Sequence, residues 1–252
     1  MCTLVILRRP GHDWPVIIAA NRDEMIDRPW QAPGRHWPDR PEVVAGRDEL
    51  AGGSWLGIND FGIAAGILNR TGSLGPAPGQ RSRGELVLEA LDHADARAAA
   101  TALATLEPRA YRTFNLIIAD NRDAYWLRHA DPSGTLPVTA AALGPGLAMI
   151  AAGDLDGEDT PRLKRYRPLF AKAPPPDPER GDWTAWQDLL TDDKPLVGGD
   201  PQTAMRFTTE RGFGTVSSSL IALPAASKPD LRPIFRFAAH QPASSPWHEV
   251  AL

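Results

Sequence analysis

The chain has 252 residues, of which 42% are hydrophobic and 23% charged, as expected of a globular protein that buries a sizeable core. Its formal net charge of −4 argues against nucleic acid as a partner, because nucleic-acid-binding surfaces are basic. No apolar run approaches the roughly 18 residues of a transmembrane helix, and a single cysteine excludes internal disulfides and thiolate-rich metal sites. We therefore expect a soluble, cytoplasmic protein that has no transmembrane segment. We also expect that it requires no cofactor.

The N-terminal residues predict a β-hairpin. Residues 3–7 and 16–20 are β-rich apolar runs, and the turn signal Pro10-Gly11-His12-Asp13 separates them. The charged tetrapeptide Asn21-Arg22-Asp23-Glu24 closes the second run. Residues 25–50 are polar, and four prolines interrupt any helix, so a loop is expected there.

A second hairpin is predicted around the turn Asn59-Asp60-Phe61-Gly62. Its strands are the apolar runs at residues 52–58 and 63–68, and Asn69 stands at its far end. Glycines and prolines crowd residues 72–79, which predicts another loop.

The middle of the chain predicts helices. Ser82-Arg83-Gly84-Glu85 fits a capping box ahead of an apolar face, and the alanine-dense residues 94–106 predict a second helix. A further hairpin is predicted at 113–119 and 124–128, and a strand at 146–150. A helix is predicted from Pro161, with Thr160 as its cap and Leu163, Tyr166 and Phe170 along one side. The remaining predictions are a proline-rich linker at 174–178, a short helix after Asp182, and strands at 214–222 and 233–238.

The order of these elements is strands first, helices in the middle and strands last. Most of the strands are joined as hairpins, which favours an antiparallel α+β sandwich over a fold built from βαβ units. No change in composition separates two parts, so a single domain over residues 1–252 is predicted.

Several familiar motifs are incomplete. Gly144-Pro145-Gly146 begins like a dinucleotide-binding fingerprint, but Met149 replaces the third glycine. Gly52-Gly53-Ser54-Trp55-Leu56 lacks the last glycine of a nucleophile elbow. The six histidines show no pair at i, i+4, so no metal site is predicted. Ser217-Ser218-Ser219 are interpreted as structural residues of a strand.

The tripeptide Asn-Arg-Asp occurs twice, at residues 21–23 and 121–123. The second copy lies at a predicted hairpin tip, where Asn and Asp favour turn geometry. By the same chemistry the first copy could be a turn at the end of a strand.

Cys2 follows the initiator methionine directly. If Met1 is removed, one residue carries both a thiol and an α-amine, whose ordinary pKa is about 7.7–8.0. The amine can then take the thiol proton, which is the arrangement of an N-terminal nucleophile. The alternative is that Cys2 is a small apolar residue at the start of an edge strand.

Five ordered motifs resemble those of the NRDE family, which is the transport and Golgi organisation protein 2 family. They are Met1-Cys2-Thr3, Asn21-Arg22-Asp23-Glu24 with Arg28-Pro29, Gly53-Ser54-Trp55-Leu56-Gly57, Asn69, and Ser82-Arg83-Gly84. The family is similar to N-terminal nucleophile (Ntn) hydrolases, so the resemblance implies a four-layer αββα sandwich of two antiparallel sheets.

More distantly, the same segments resemble the cysteine acylases that cleave bile salts and penicillin V. By that resemblance Cys2 is the nucleophile, Asp23 holds its amine, and Asn69 contributes to an oxyanion hole. Those acylases have an arginine where this chain has Ala20, and Arg22 would share that face of a strand. They also have a second asparagine near residues 150–153, where none occurs here. Arg236 is a loose match to a late arginine.

Two functions follow as alternatives. The first is an amide or thioester hydrolase acting on a small acyl substrate, with Cys2, Asp23, Asn69 and Arg22 as catalytic residues. The second is a non-catalytic carrier in which the same cleft binds haem or an acyl chain such as that of acyl-CoA, since the family is linked to haem mobilisation and lipid homeostasis. The residues assigned to binding in either case are Asn21, Trp55 and Arg236.

Overall fold

The computed structural model describes residues 2–252. In chain order its elements are β1 (Thr3–Arg8), β2 (Val16–Met25), β3 (Trp30–Gly34), β4 (Val43–Asp48), β5 (Leu56–Asn59), β6 (Ala64–Asn69), α1 (Glu85–Leu91), α2 (Ala96–Leu103), a 3₁₀ turn (Pro108–Ala110), β7 (Phe114–Ala119), β8 (Ala124–His129), β9 (Thr139–Ala142), β10 (Gly146–Ile150), α3 (Pro161–Lys172), α4 (Thr184–Thr191), a second 3₁₀ turn (Pro201–Thr203), β11 (Phe213–Leu223), β12 (Ile234–Ala239) and β13 (His248–Glu249).

These elements belong to two compact units. The first unit combines the N-terminal segment up to Arg28 with Pro145–Val250, and the second consists of Pro29–Gly144 with the last two residues. The single-domain prediction for residues 1–252 stays a prediction.

The first unit contains an antiparallel sheet of six strands in the order β10-β1-β2-β11-β12-β13. One face of this sheet carries α3 and α4, because alternate residues such as Val5, Ala19 and Leu220 join the apolar stripe of the helices in one buried cluster. Tyr166 and Phe170 supply that stripe on α3 and are fully buried. Burying each large apolar side chain contributes about 1.5–3 kcal/mol before its entropy cost.

The second unit contains an antiparallel sheet of seven strands in the order β3-β4-β5-β6-β7-β8-β9. Every residue of β7 is buried, and α1 and α2 pack with this sheet in a second apolar cluster. Asp95 caps α2 by accepting a hydrogen bond from the Ala98 backbone N–H at 2.7 Å, which satisfies one of the unpaired donors of the first turn.

Two glycines of the second unit are required by close approach of the backbone. A Cβ on Gly53 would lie 2.4 Å from the carbonyl carbon of Gly84, and one on Gly57 would lie 2.4 Å from the Cβ of Ala45. Ser54 N–H donates to the Gly84 carbonyl at 2.9 Å, so this contact ties the segment before β5 to the start of α1.

Three local predictions are wrong. Residues 25–50 include the strands β3 and β4 rather than only a loop. The strand β2 continues through Met25 instead of ending before the charged tetrapeptide, since β11 pairs with it as far as Phe213. Ser82 does not cap α1: Gly84 occupies the cap position without a side-chain hydrogen bond.

The predicted α+β class with two antiparallel sheets is confirmed. Within residues 2–252, none of the helices is long and apolar enough to cross a membrane.

Candidate functional site

Cys2 immediately precedes β1, and its thiol contacts the backbone of Asp23 on β2. The Cys2 Sγ accepts a hydrogen bond from the Asp23 N–H at 3.3 Å and donates one to the Asp23 carbonyl at 3.5 Å. The register of the hairpin explains the contact, because Thr3 pairs with Asn21 and the chain therefore brings Cys2 level with the next residues of β2. Cys2 is half-buried.

The Asp23 carboxylate is buried and is held by two side chains from distant parts of the sequence. Arg162, at the start of α3, donates from Nη1 to Oδ2 at 2.8 Å, and Thr215 of β11 donates from Oγ1 to Oδ1 at 2.8 Å. The side chains of Asp23 and Arg162 are 0% and 3% exposed. Removing one partner would leave a buried charge without compensation, at a cost of about 3–5 kcal/mol.

Arg162 also connects the carboxylate to the first strand. Its Nη1 donates to Thr3 Oγ1 at 3.0 Å, its Nε donates to the Gln202 carbonyl at 3.0 Å, and its guanidinium lies 5.0 Å from the centre of the Phe207 ring. One guanidinium thus fixes the residue next to Cys2 and the carboxylate of Asp23 at the same time.

The surroundings of Cys2 disfavour its thiolate. Burial raises the pKa of the Cys2 thiol above its ordinary value, and the negative charge of Asp23 raises it further. The backbone hydrogen bond from Asp23 acts in the opposite direction but is the weaker effect. Any chemistry at this sulfur therefore needs a base that takes its proton.

Asn21 connects β2 to two backbone segments of the first unit. Its Nδ2 donates to the carbonyls of Leu190 at 2.8 Å and Met205 at 3.0 Å, and its Oδ1 accepts from the Ser218 hydroxyl at 2.6 Å. Asn21 is 1% exposed, so it holds the segments around the site in place. Its predicted binding role stays a prediction.

Arg22 lies on the opposite face of β2 from Asn21 and Asp23, as alternation along a strand requires. It is 5% exposed, and its Nη2 lies 4.0 Å from the Glu24 carboxylate, which also lies 3.7 Å from Arg28 Nε. The Asp23 carboxylate accepts a hydrogen bond from the Arg162 guanidinium, and the catalytic role predicted for Arg22 stays a prediction.

Arg236 lies on β12, and its guanidinium is 5.8 Å from the centre of the Trp183 ring. Its Nε is buried, and no hydrogen-bond partner for it occurs among residues 2–252. Arg236 thus packs against Trp183, and its predicted binding role stays a prediction.

Asn69 and Trp55 belong to the second unit. Asn69 ends β6, pairs with Phe114 and is half-buried, and its side-chain amide makes no hydrogen bond in the described part of the chain. The Trp55 ring meets Trp30 edge-on at 5.9 Å and lies against Gly46, where an added Cβ would be 2.2 Å from the ring. Trp55 thus packs its own unit, and the roles predicted for both residues remain untested.

Sequence reasoning missed Arg162. A signal was present, because Arg162 precedes Tyr166 by four residues and therefore shares the apolar side of α3 with Leu163 and Phe170. A charged residue within a buried stripe indicates a buried partner of opposite charge. Thr215 gave no comparable signal, since a threonine is common in any strand.

Comparison with known families identifies relatives of this chain. A sequence model of the family described as Transport and Golgi organisation 2 matches residues 1–185. The mouse Transport and Golgi organization 2 homolog is 36% identical over 110 residues, which are 42% of this chain and 38% of that protein. The human homolog is likewise 36% identical over 110 residues, with the same coverage. The chain thus matches well under half of the length of these curated relatives.

Several solved structures share the fold of this chain. Penicillin V acylase from Agrobacterium tumefaciens aligns with a TM-score of 0.58 and 14% identity over 98% of this chain and 86% of that one. The Caenorhabditis elegans ortholog of N-acylethanolamine-hydrolyzing acid amidase aligns with a TM-score of 0.56 and 12% identity over 87% and 92%. At this identity the likeness concerns the fold, and it confirms the predicted Ntn-hydrolase-like fold.

Proposed function

The chain belongs to the Transport and Golgi organisation 2 family, and from that premise we propose that it is a hydrolase of amide or thioester bonds in small acyl substrates. Cys2 is the nucleophile. The observation that carries the proposal is the contact of the Cys2 thiol with Asp23, whose carboxylate is fixed by Arg162, in a fold shared with acylases and amidases.

In the proposed reaction, removal of Met1 frees the α-amine of Cys2, which takes the proton of its own thiol. The thiolate attacks the substrate carbonyl, the resulting ammonium protonates the leaving amine or thiol, and water then hydrolyses the acyl-enzyme to release the acid. An ammonium beside the sulfur acts against the raised pKa of the thiol, because a positive charge favours the thiolate. Asp23 is proposed to hold the ammonium in place.

Asn69 is proposed to donate a hydrogen bond to the oxyanion, with support from its half-buried amide that makes no hydrogen bond within residues 2–252. Loss of one such donor costs about 2.7–4 kcal/mol in favourable cases. We expect Asn69→Ala to reduce kcat about 100-fold or more while the free energy of unfolding stays within about 1 kcal/mol. An unchanged kcat would remove Asn69 from the mechanism.

The decisive experiment uses the full-length protein after its intact mass has shown that Met1 is absent. Wild type, Cys2→Ala and Cys2→Ser are compared on acyl-CoA thioesters and N-acyl amides of increasing chain length. Cys2→Ala is expected to lower turnover at least about 1,000-fold with an unchanged unfolding midpoint. Turnover that survives in Cys2→Ala, or a protein that is active with Met1 retained, would contradict the proposal.

A second candidate is a non-catalytic carrier that binds haem or an acyl chain as cargo. The raised pKa of the Cys2 thiol favours it, since a protonated thiol is a poor nucleophile. Absorbance titration with haemin and fluorescence titration with a labelled acyl-CoA test this candidate. Saturable binding that Cys2→Ala retains, together with no hydrolysis by the processed wild type, would favour the carrier. We also propose a cytoplasmic location, which cell fractionation would test.

A further inference from the structure

A cavity of about 420 Å³ lies within the first unit. Its walls are formed by residues of the segment 193–208, by Thr215 on β11, and by His240 and Gln241 after β12. The volume falls within the range of about 300–1,000 Å³ that is typical of small-molecule sites. Neither Cys2 nor Asp23 lines it.

The protonation of His240 in this cavity follows from a chain of hydrogen bonds. The two N–H groups of Asn21 Nδ2 both donate to backbone carbonyls, which fixes the orientation of the amide. The Ser218 hydroxyl must therefore donate its only proton to Asn21 Oδ1 at 2.6 Å. The contact of 2.7 Å between Ser218 Oγ and His240 Nε2 then requires that Nε2 carries the proton.

His240, which lines the cavity, consequently has one ring nitrogen left that can accept a hydrogen bond. With Nε2 used by the buried Ser218, Nδ1 is the ring nitrogen that remains, and it has no hydrogen-bond partner in the described part of the chain. Burial, with a smaller contribution from the positive charge of Arg206, lowers the pKa of His240 to about 4. Nδ1 is therefore an unprotonated acceptor at neutral pH.

Arg206 supplies hydrogen-bond donors and a positive charge in the same cavity. Its Nη2 donates to Asp193 Oδ2 at 2.9 Å, and this is one of the five N–H groups of the guanidinium. The side chain of Asp193 is 61% exposed, so its pairing with Arg206 is a weak surface contact. The remaining N–H groups can bind a carboxylate in the two-pronged geometry that a guanidinium favours.

The other walls suit an apolar group. Phe207, Pro195 and Pro201 line the cavity alongside the two polar groups. A ligand that satisfies every wall has an anion, a nearby hydrogen-bond donor and a compact apolar body.

We propose that this cavity binds a small carboxylate that carries an O–H or N–H donor on the carbon next to its carboxyl group. Arg206 binds the carboxylate, His240 Nδ1 accepts the donor, and Phe207 packs against the body of the ligand. This site requires neither Cys2 nor removal of Met1, so it stands independently of the proposed hydrolysis.

The test compares two probes that differ by one hydroxyl, mandelate and phenylacetate, by calorimetry and by chemical-shift titration of the full-length protein. Neither probe has an amide or thioester bond, so hydrolysis cannot affect the result. Mandelate is expected to bind about two- to tenfold more tightly than phenylacetate, which lacks the donor. Equal affinities, or no saturable shift of residues 206 and 240 with millimolar mandelate, would overturn the proposal.

Three variants sharpen the test. Arg206→Gln is expected to weaken mandelate binding about tenfold or more, and the exposed Arg211→Gln, which makes the same charge change, is expected to leave it unaltered. Asp193→Asn frees Arg206 and removes a competing charge, so it should tighten binding severalfold. Equal losses of mandelate affinity in the two arginine variants would overturn the proposal. Weaker mandelate binding by Asp193→Asn would also overturn it, and this outcome can be measured even if Arg206→Gln is unstable.

A direct measurement of His240 completes the test. Long-range proton–nitrogen correlation spectra distinguish the two neutral forms of imidazole, and we expect the form protonated at Nε2. Mandelate should shift the resonance of Nδ1 and leave Nε2 nearly unchanged. A proton on Nδ1 in the free protein would contradict the hydrogen-bond chain and the proposed role of His240.

Discussion

The tripeptide Asn-Arg-Asp has different roles at its two positions in the chain. At 21–23 it lies inside the strand β2, where Asn21 and Asp23 are 1% and 4% exposed and bind residues far away in sequence. At 121–123 it forms the turn between β7 and β8, and the preceding Asp120 accepts hydrogen bonds from the backbone of residues 122 and 123. Identical residues thus act through long-range burial in one copy and through local turn geometry in the other.

The largest expected difference between the copies concerns their aspartates. Asp23→Ala removes the buried partner of Arg162 and is expected to lower the free energy of unfolding by about 3–5 kcal/mol. Asp123→Ala removes only an exposed pair with Arg97 at 3.4 Å, and the expected loss is about 0–1 kcal/mol. Urea unfolding followed by circular dichroism measures both. Equal losses would show that burial does not distinguish the two copies.

The asparagines should show a smaller difference. Asn21→Ala removes the donor to the Leu190 carbonyl, one of two donors to the Met205 carbonyl and the acceptor of the Ser218 hydroxyl proton, so the expected loss is about 2–4 kcal/mol. Asn121→Ala, at a turn, is expected to cost about 0.5 kcal/mol or less. The same unfolding measurement applies, and a loss below 1 kcal/mol for Asn21→Ala would imply that water replaces the amide.

A dependence on pH is expected for the first copy, because Ser218 links Asn21 to His240. The folded-state pKa of His240 is lowered to about 4 from an ordinary value of 6.5, so the unfolded chain binds the proton more tightly. The contribution of His240 to the free energy of unfolding is therefore present in full above pH 6.5. It is lost as the pH falls towards 4, by up to about 3 kcal/mol.

The control for this prediction is a pair of histidine variants. His240→Gln should flatten the stability profile between pH 6.5 and 4, whereas His36→Gln, at a site in the second unit, should keep the profile of the wild type. An identical acid profile in wild type and His240→Gln would assign the loss to other groups.

Much of the strand pairing was predictable because it is local. The β1–β2 hairpin and the β5–β6 hairpin follow from apolar runs around turn residues, and both are present. The strands β3 and β4 were missed because prolines dominate the segment. Pro33 is tolerated since β3 is an edge strand whose register shifts between Gln31 and Gly34.

Only the contacts of the site between residues close in sequence were predictable. Hairpin register brings Cys2 to Asp23, whereas the residues that hold the Asp23 carboxylate are separated from it by 139 positions for Arg162 and 192 for Thr215. Such contacts depend on which face of α3 and β11 packs inward, and a single sequence does not specify that pairing. The capping box at Ser82 was wrong for a similar reason, because the Gly84 backbone is fixed by Ser54.

The first unit is built from two segments that are far apart in sequence, and this has a consequence for protein synthesis. The hairpin of β1 and β2 leaves the ribosome long before β11, which pairs with β2 from Phe213 to Leu223. At typical elongation rates of about 5–20 residues per second, the delay is on the order of ten to forty seconds. During that interval the Asp23 carboxylate lacks Thr215 of β11, while the contiguous strands of the second unit are already available to pair. The contact between Thr215 and the Asp23 carboxylate is consequently among the last of the first sheet to form during synthesis.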